Sequence, residues 1–106
     1  MKQEYHKLVR DKIPEIIQNS GLNCETLTLS ESEYREALRQ KVVEEAQEIA
    51  EADEENLITE LADIYEVIHA IIETHGINRE LIIQEQIRRR NERGGFQKRI
   101  KLLWTE

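Results

Sequence analysis

Residues 31–75 decide the fold of this chain, and they read ESEYREALRQKVVEEAQEIAEADEENLITELADIYEVIHAIIETH. Apolar residues recur in this stretch at every third or fourth position, which is the spacing of an amphipathic helix. Ser30 followed by Glu33 forms a capping box, a pattern that opens helices. The stretch therefore predicts two long helices, at about 31–52 and about 54–75.

Shorter elements are predicted on either side of these two helices. Pro14 suits the first turn of a short helix at about 14–19, because its ring already has a helical φ angle. Asn78 is a suitable cap for a fourth helix at about 79–93, which Gly94 and the glycine after it would end. Together with the central pair, these elements predict an all-α fold.

Length and composition support this fold class. The chain has 106 residues, too few to favour a second domain, so one domain spanning residues 1–106 is predicted. Charged residues make up 35%, and there are only 4 glycines and 1 proline, which disfavours low-complexity chains and turn-rich all-β folds.

The apolar content also predicts an oligomer. Apolar residues make up 39% of the chain, so two amphipathic helices could not surround a core alone. We therefore expect helical hairpins that assemble by dimerisation, as a homodimer or a dimer of dimers, into a four-helix bundle.

The net charge and the single cysteine limit the kinds of partner and the cellular location that we expect for this chain. The net charge of −7 repels a phosphate backbone, so nucleic acid is an unlikely partner. The single cysteine, Cys24, fits a reducing compartment, and a cytoplasmic location is expected. Apolar runs are no longer than triplets, so neither a membrane span nor a signal peptide is expected.

Two pairs of carboxylates fall on the apolar sides of the central helices. Glu45 projects into the apolar arc of its helix with Glu48 at the edge, and Glu60 and Asp63 repeat the arrangement on the next helix. A buried ionised carboxylate is costly unless a cation neutralises it. The alternative is that these acids are ordinary surface groups, partly paired with Lys41 or with an arginine.

The cation expected at such a site is a hard metal ion. Ligation by oxygen alone, without His or Cys, selects Mg²⁺, with Mn²⁺ as a substitute. Because Mg²⁺ keeps several waters and takes substrate phosphates as ligands, the carboxylates predict a site for a metal–polyphosphate complex.

A basic region provides candidate phosphate ligands. Residues 88–99 contain six cations, which alone would indicate a solvated helix end or a nucleic-acid patch. Next to a metal site made of carboxylates, arginines in this region would bind phosphate oxygens through two parallel hydrogen bonds from the guanidinium group. The candidate phosphate-binding residues are Arg10, Lys12, Lys41, Arg90, Arg93 and Lys98.

Four sequence segments carry a family resemblance. Residues 44–48, EEAQE, followed by residues 60–63, ELAD, resemble the signature of the all-α nucleoside triphosphate pyrophosphatase superfamily. That superfamily comprises MazG-like proteins and their relatives, phosphoribosyl-ATP pyrophosphohydrolase and the dimeric dUTPases. Residues 7–14, KLVRDKIP, and residues 92–96, ERGGF, resemble one small MazG-like branch.

The resemblance implies a reaction and roles for the acids. Glu45, Glu48, Glu60 and Asp63 would coordinate Mg²⁺, and an activated water would cleave between the α and β phosphates, releasing a nucleoside monophosphate and pyrophosphate. Glu44 is a candidate extra ligand, and Glu44 or Glu48 would accept the proton of the water.

Two departures from the family pattern concern the substrate. The 11-residue gap between Glu48 and Glu60 is shorter than in many relatives, and Arg90 stands where Lys is common. The expected use is house-cleaning of non-standard or surplus nucleotides, with phosphoribosyl-ATP as the alternative substrate. A rival from another class is a non-catalytic helical dimer that binds nucleic acid or protein through its basic C-terminal region. That rival leaves the two inward carboxylate pairs unexplained.

Overall fold

The computed structural model describes residues 2–106, and over these residues all regular secondary structure is helical. The predicted all-α class is confirmed. The α-helices are α1 (Ile13–Asn19), α2 (Glu31–Glu51), α3 (Leu57–Thr74) and α4 (Arg79–Arg93). A 3₁₀ turn, Glu54–Asn56, directly precedes α3.

The starts of α2 and α4 follow the predicted capping residues. The Ser30 Oγ accepts the backbone N–H of Glu33 at 3.3 Å, and the Glu33 carboxylate accepts the backbone N–H of Ser30 at 3.0 Å. Hydrogen bonding of the Glu33 carboxylate to the backbone and the side chain of Ser30 lowers the pKa of Glu33. Asn78 caps α4 by accepting the backbone N–H of Glu80 at 2.9 Å. Both caps satisfy N–H groups that have no partner inside the helix.

The start of the third long helix differs from the prediction. A helix from residue 54 was expected, whereas Glu54–Asn56 form the 3₁₀ turn and α3 begins at Leu57. The cause is Asp53, whose Oδ1 accepts the backbone N–H of Asn56 at 3.2 Å and its side-chain amide at 2.7 Å. Asp and Asn side chains compete with helical hydrogen bonds in this way, so they hold the tighter turn.

Helices α2 and α3 form an antiparallel hairpin. Arg35, in the second turn of α2, donates to the backbone carbonyl of Thr74, the last residue of α3, at 3.2 Å. The buried core between the helices consists of Leu38 from α2 and Val67 and Ile72 from α3. The hairpin therefore has one packed seam.

Part of the apolar surface of α3 is not covered by the hairpin. Ile58 is 81% exposed and Tyr65 is 72% exposed, and Leu61 and Ile68 are also exposed. Burial of such a stripe would provide favourable free energy in proportion to its apolar area. This surface suits the expected four-helix bundle, whose formation stays a prediction.

The chain divides into two compact units. The first ends at His75 and contains α1, α2, the 3₁₀ turn and α3, and the second, Gly76–Glu106, contains α4 and the segment after it. Gly76 has φ +62°, a left-handed conformation that favours glycine. The single-domain organisation stays a prediction. None of the helices in the described part of the chain is long and apolar enough to cross a membrane.

Candidate functional site

Helices α2 and α3 bring three of the four predicted metal ligands together. Glu45, Glu60 and Asp63 each offer one carboxylate oxygen, and these oxygens all lie within 4.8 Å of one another. Residues three apart on a helix share a face, which explains why Glu60 and Asp63 point the same way. All three residues are partly buried, and the Glu45 side chain is only 13% exposed.

The fourth predicted ligand lies at the same cavity. A cavity of about 240 Å³ opens beside the three carboxylates, and it is lined mainly by charged groups. Its lining residues are Lys7, Lys41, Glu44, Glu45, Glu48, Glu60 and Asp63. Glu48 is exposed and stands outside the group of three that lie within 4.8 Å. Five carboxylates and two ammonium groups thus share one small volume.

The acids interact electrostatically. Burial raises the pKa of Glu60, and the nearby carboxylates of Glu48, Asp63 and Glu45 raise it further. Both effects act in the expected direction, because desolvation and like charges disfavour the ionised form. A bound cation would act in the opposite sense and favour ionised carboxylates.

Two basic side chains partly compensate the negative charge of the carboxylates at the cavity. The Lys41 Nζ lies 3.4 Å from a Glu44 oxygen and 3.8 Å from a Glu45 oxygen, and the Lys41 side chain is 18% exposed. Arg10 donates to the Asp63 Oδ1 at 2.7 Å. The pairing with Lys41 and an arginine, considered from the sequence as an alternative to metal binding, is therefore present for Glu45 and Asp63.

The remaining predicted phosphate ligands lie elsewhere in the chain. Lys12 is the exposed residue just before α1. Arg90 and Arg93 are in the last turn of α4, and Lys98 follows that helix, so all three belong to the second unit. Their role in binding phosphate stays a prediction from the sequence.

Lys7 is a cavity residue that the sequence analysis did not single out. It lines the cavity, and its Nζ lies 5.7 Å from the centre of the Tyr5 ring. The available signal was its place three residues before Arg10 in the same basic segment. Without knowledge of where that segment packs, this spacing did not separate Lys7 from other exposed lysines.

The donor set fits a small, hard divalent cation. Ligands at about 2.0–2.1 Å around octahedral Mg²⁺ are separated by about 3–4.2 Å, so oxygens within 4.8 Å need only small side-chain adjustments. The three ligands are all carboxylates, which favours Mg²⁺ or Mn²⁺ over metals that prefer nitrogen or sulfur.

The all-helical hairpin with carboxylates on both helices fits the MazG-like all-α nucleoside triphosphate pyrophosphatase superfamily, to which the family match assigns the chain. Within that superfamily, the model of the phosphoribosyl-ATP pyrophosphohydrolase family matches residues 3–91. Because this match covers most of the sequence, including both carboxylate pairs, the chain belongs to the phosphoribosyl-ATP pyrophosphohydrolase family.

A similar bacterial protein shares part of the sequence. An uncharacterized protein of Mycolicibacterium smegmatis (strain ATCC 700084 / mc(2)155) is 49% identical over 47 residues, which cover 44% of this chain and 48% of that protein. The match thus spans about half the length of this relative. No solved structure matches the chain.

Proposed function

We propose that this chain is a Mg²⁺-dependent nucleoside triphosphate pyrophosphohydrolase. It would cleave the bond between the α and β phosphates and release a nucleoside monophosphate and pyrophosphate. The observation that carries the proposal is the convergence of Glu45, Glu60 and Asp63, from two antiparallel helices, to within 4.8 Å. Membership of a pyrophosphohydrolase family supports the same reaction class.

The carboxylates would hold the metal and receive a proton. Glu45, Glu60 and Asp63 would bind Mg²⁺, or Mn²⁺ as a substitute, with Glu48 as a fourth ligand from the same cavity. When bound, the ion supplies neutralisation of phosphate charge and lowers the pKa of a bound water. Glu44 or Glu48, which both line the cavity, would accept the proton of the attacking water.

The basic groups at the cavity would bind the polyphosphate. Lys41 and Lys7 both line it, and Arg10 lies at the edge of the acidic cluster through Asp63. Their positive charge would stabilise negative charge that develops on the pyrophosphate leaving group. Arg90, Arg93 and Lys98 are further proposed phosphate ligands, on the basis of their sequence pattern.

Two other functions are candidates, for different reasons. Phosphoribosyl-ATP is an alternative substrate, favoured by the family model that matches the chain, and it carries the same type of triphosphate. A non-catalytic helical dimer that binds nucleic acid or protein through residues 88–99 is the rival from another class. The net charge of −7 and the converging carboxylates count against that rival.

Product identification tests the reaction. The protein and Mg²⁺ are incubated in ¹⁸O water with a panel of nucleoside triphosphates and with phosphoribosyl-ATP. A monophosphate and pyrophosphate are expected from at least one substrate. A diphosphate and orthophosphate, or no turnover of any substrate with Mg²⁺ or Mn²⁺, would contradict the proposal. The Glu60→Gln variant should lose turnover, and Glu66→Gln, an exposed position on the same helix, is its matched control.

Assembly and location complete the proposal. We propose that the chain forms a single domain of 106 residues and assembles as a homodimer or a dimer of dimers in the cytoplasm. Its proposed role is house-cleaning, the hydrolysis of surplus or non-standard nucleotides. The exposed apolar stripe of α3 supports a second copy as the partner of the hairpin.

A further inference from the structure

A non-helical segment contacts the acidic cluster from outside the hairpin. We call residues 5–12 the N-terminal arm, which precedes α1 and contains no helix. Its Arg10 donates to the Oδ1 of Asp63, which lies 53 residues further along the chain, at 2.7 Å. Its Lys7 lines the cavity beside the same carboxylates. The arm therefore delivers positive charge to one of the groups that would hold a metal.

Asp63 consequently has two interactions that compete. Its carboxylate belongs to the group of three whose oxygens lie within 4.8 Å, and it also accepts the guanidinium of Arg10. A divalent ion that uses the cluster would come close to this guanidinium, and two cations at one carboxylate repel each other. Full metal binding is thus favoured by departure of the Arg10 side chain.

The ion pair between Arg10 and Asp63 is weak enough for Arg10 to exchange Asp63 for another partner. The Arg10 side chain is 57% exposed and that of Asp63 is 35% exposed, and solvent-exposed ion pairs contribute little to stability. The backbone of Arg10 is held separately, because its carbonyl accepts the N–H of Ile13 at 3.1 Å. The guanidinium can therefore move away while its backbone stays at the start of α1.

We propose that Arg10 competes with the divalent cation for Asp63, and that the displaced guanidinium binds a phosphate of the substrate. This inference rests on the proposed function. A polyphosphate brings negative charge to the site together with the metal, and Arg binds phosphate through two parallel hydrogen bonds. Arg10 thus has one anionic partner before substrate arrives and another afterwards.

The first test measures metal binding without nucleotide. Mn²⁺ is titrated calorimetrically into metal-stripped wild type, Arg10→Gln and Arg39→Gln. Loss of an exposed ion pair should make Arg10→Gln bind Mn²⁺ about two- to fivefold more tightly than wild type. Arg39 is exposed on α2 and does not line the cavity, so Arg39→Gln removes an equal charge as the control.

The second test measures binding of a triphosphate analogue that has a methylene group between the α and β phosphorus atoms. With saturating Mn²⁺, Arg10→Gln should bind it about tenfold more weakly than wild type, because a hydrogen bond between charged groups is lost. Arg10→Lys keeps the charge without the fork, so its affinity should lie between the two.

The outcomes separate this inference from the proposed function. If Arg10→Gln binds Mn²⁺ no more tightly than wild type does, Arg10 does not compete with the metal for Asp63. If Arg10→Gln binds the triphosphate analogue as tightly as wild type does, the Arg10 guanidinium does not move to a phosphate. Tighter Mn²⁺ binding together with weaker analogue binding supports both steps, even if no substrate in the panel is hydrolysed. If wild type binds no Mn²⁺, the metal site fails and both proposals are overturned.

Discussion

Substituting Glu60 by Gln should have opposite effects on stability with and without a divalent metal. Without metal, burial and the carboxylates of Glu48, Asp63 and Glu45 disfavour the ionised form of Glu60 and so raise its pKa. Gln has nearly the same size and no charge, so Glu60→Gln should melt at a higher temperature than wild type in EDTA. In Mg²⁺ the order should reverse, because the variant lacks one of three converging ligands.

The size of the metal effect in wild type follows from mass action. A ligand at one hundred times its Kd stabilises the folded state by about 2.7 kcal/mol. For a domain of about this length, each kcal/mol raises Tm by roughly 4–8 °C, so saturating Mg²⁺ should raise Tm by roughly 10–20 °C. The variant should show only a small part of this rise.

The pH dependence gives a second readout of the same substitution. The pKa of Glu60 is raised above its ordinary value of 4.5, so its contribution to stability is present below that value. That contribution is lost as the pH rises through the folded-state pKa, where the ionised carboxylate becomes unfavourable. The advantage of Glu60→Gln in EDTA should therefore be smallest at acid pH and larger at neutral pH.

Differential scanning fluorimetry at several pH values, in EDTA and in Mg²⁺, measures both effects. Glu66→Gln serves as the control, because it removes the same charge from an exposed position of α3. A variant that is less stable than wild type in EDTA, or that keeps the full response to Mg²⁺, would refute the electrostatic account of the cluster.

Three further predictions concern the hairpin and its metal. Replacing Asp63 by Ala should abolish the rise in Tm with Mg²⁺. A rise in Tm that persists in both Asp63→Ala and Glu48→Ala would show that the metal does not bind at these residues. Leu38→Ala should lower the free energy of unfolding by about 2–5 kcal/mol in urea titrations, because Leu38 is 3% exposed in the core; a loss below ~1 kcal/mol would contradict that position. Light scattering should give a mass of two or four chains of 12.6 kDa, and a mass equal to one chain at micromolar concentration would exclude the bundle.

The parts of the fold that depend on local chemistry could be predicted from the sequence. Ser30 and Asn78 cap their helices through hydrogen bonds that reach no further than three residues, and these sequence signals are strong. The turn before α3 was missed because Asp53 and Asn56 form competing side-chain hydrogen bonds that a periodic apolar pattern does not register.

The candidate site was predictable only in part, for a related reason. Helical periodicity indicated that Glu45 and Glu60 turn toward the neighbouring helix, and in the structure both are partly buried. The contact between Arg10 and Asp63 joins residues 53 positions apart, and no local pattern encodes it. Lys7 was missed because its role depends on where the N-terminal arm packs.

The hydrogen bond from Arg35 to the Thr74 carbonyl has a consequence for the opposite end of the hairpin. It joins the second turn of α2 to the last residue of α3 at 3.2 Å, so together with the packed core of Leu38, Val67 and Ile72 it opposes sliding of α3 along α2. A shift by one residue is about 1.5 Å, which is large compared with the tolerance of metal–oxygen distances. Arg35 therefore contributes to the axial alignment of Glu45 with Glu60, although it lies far from the carboxylates whose spacing would decide which ion they could hold.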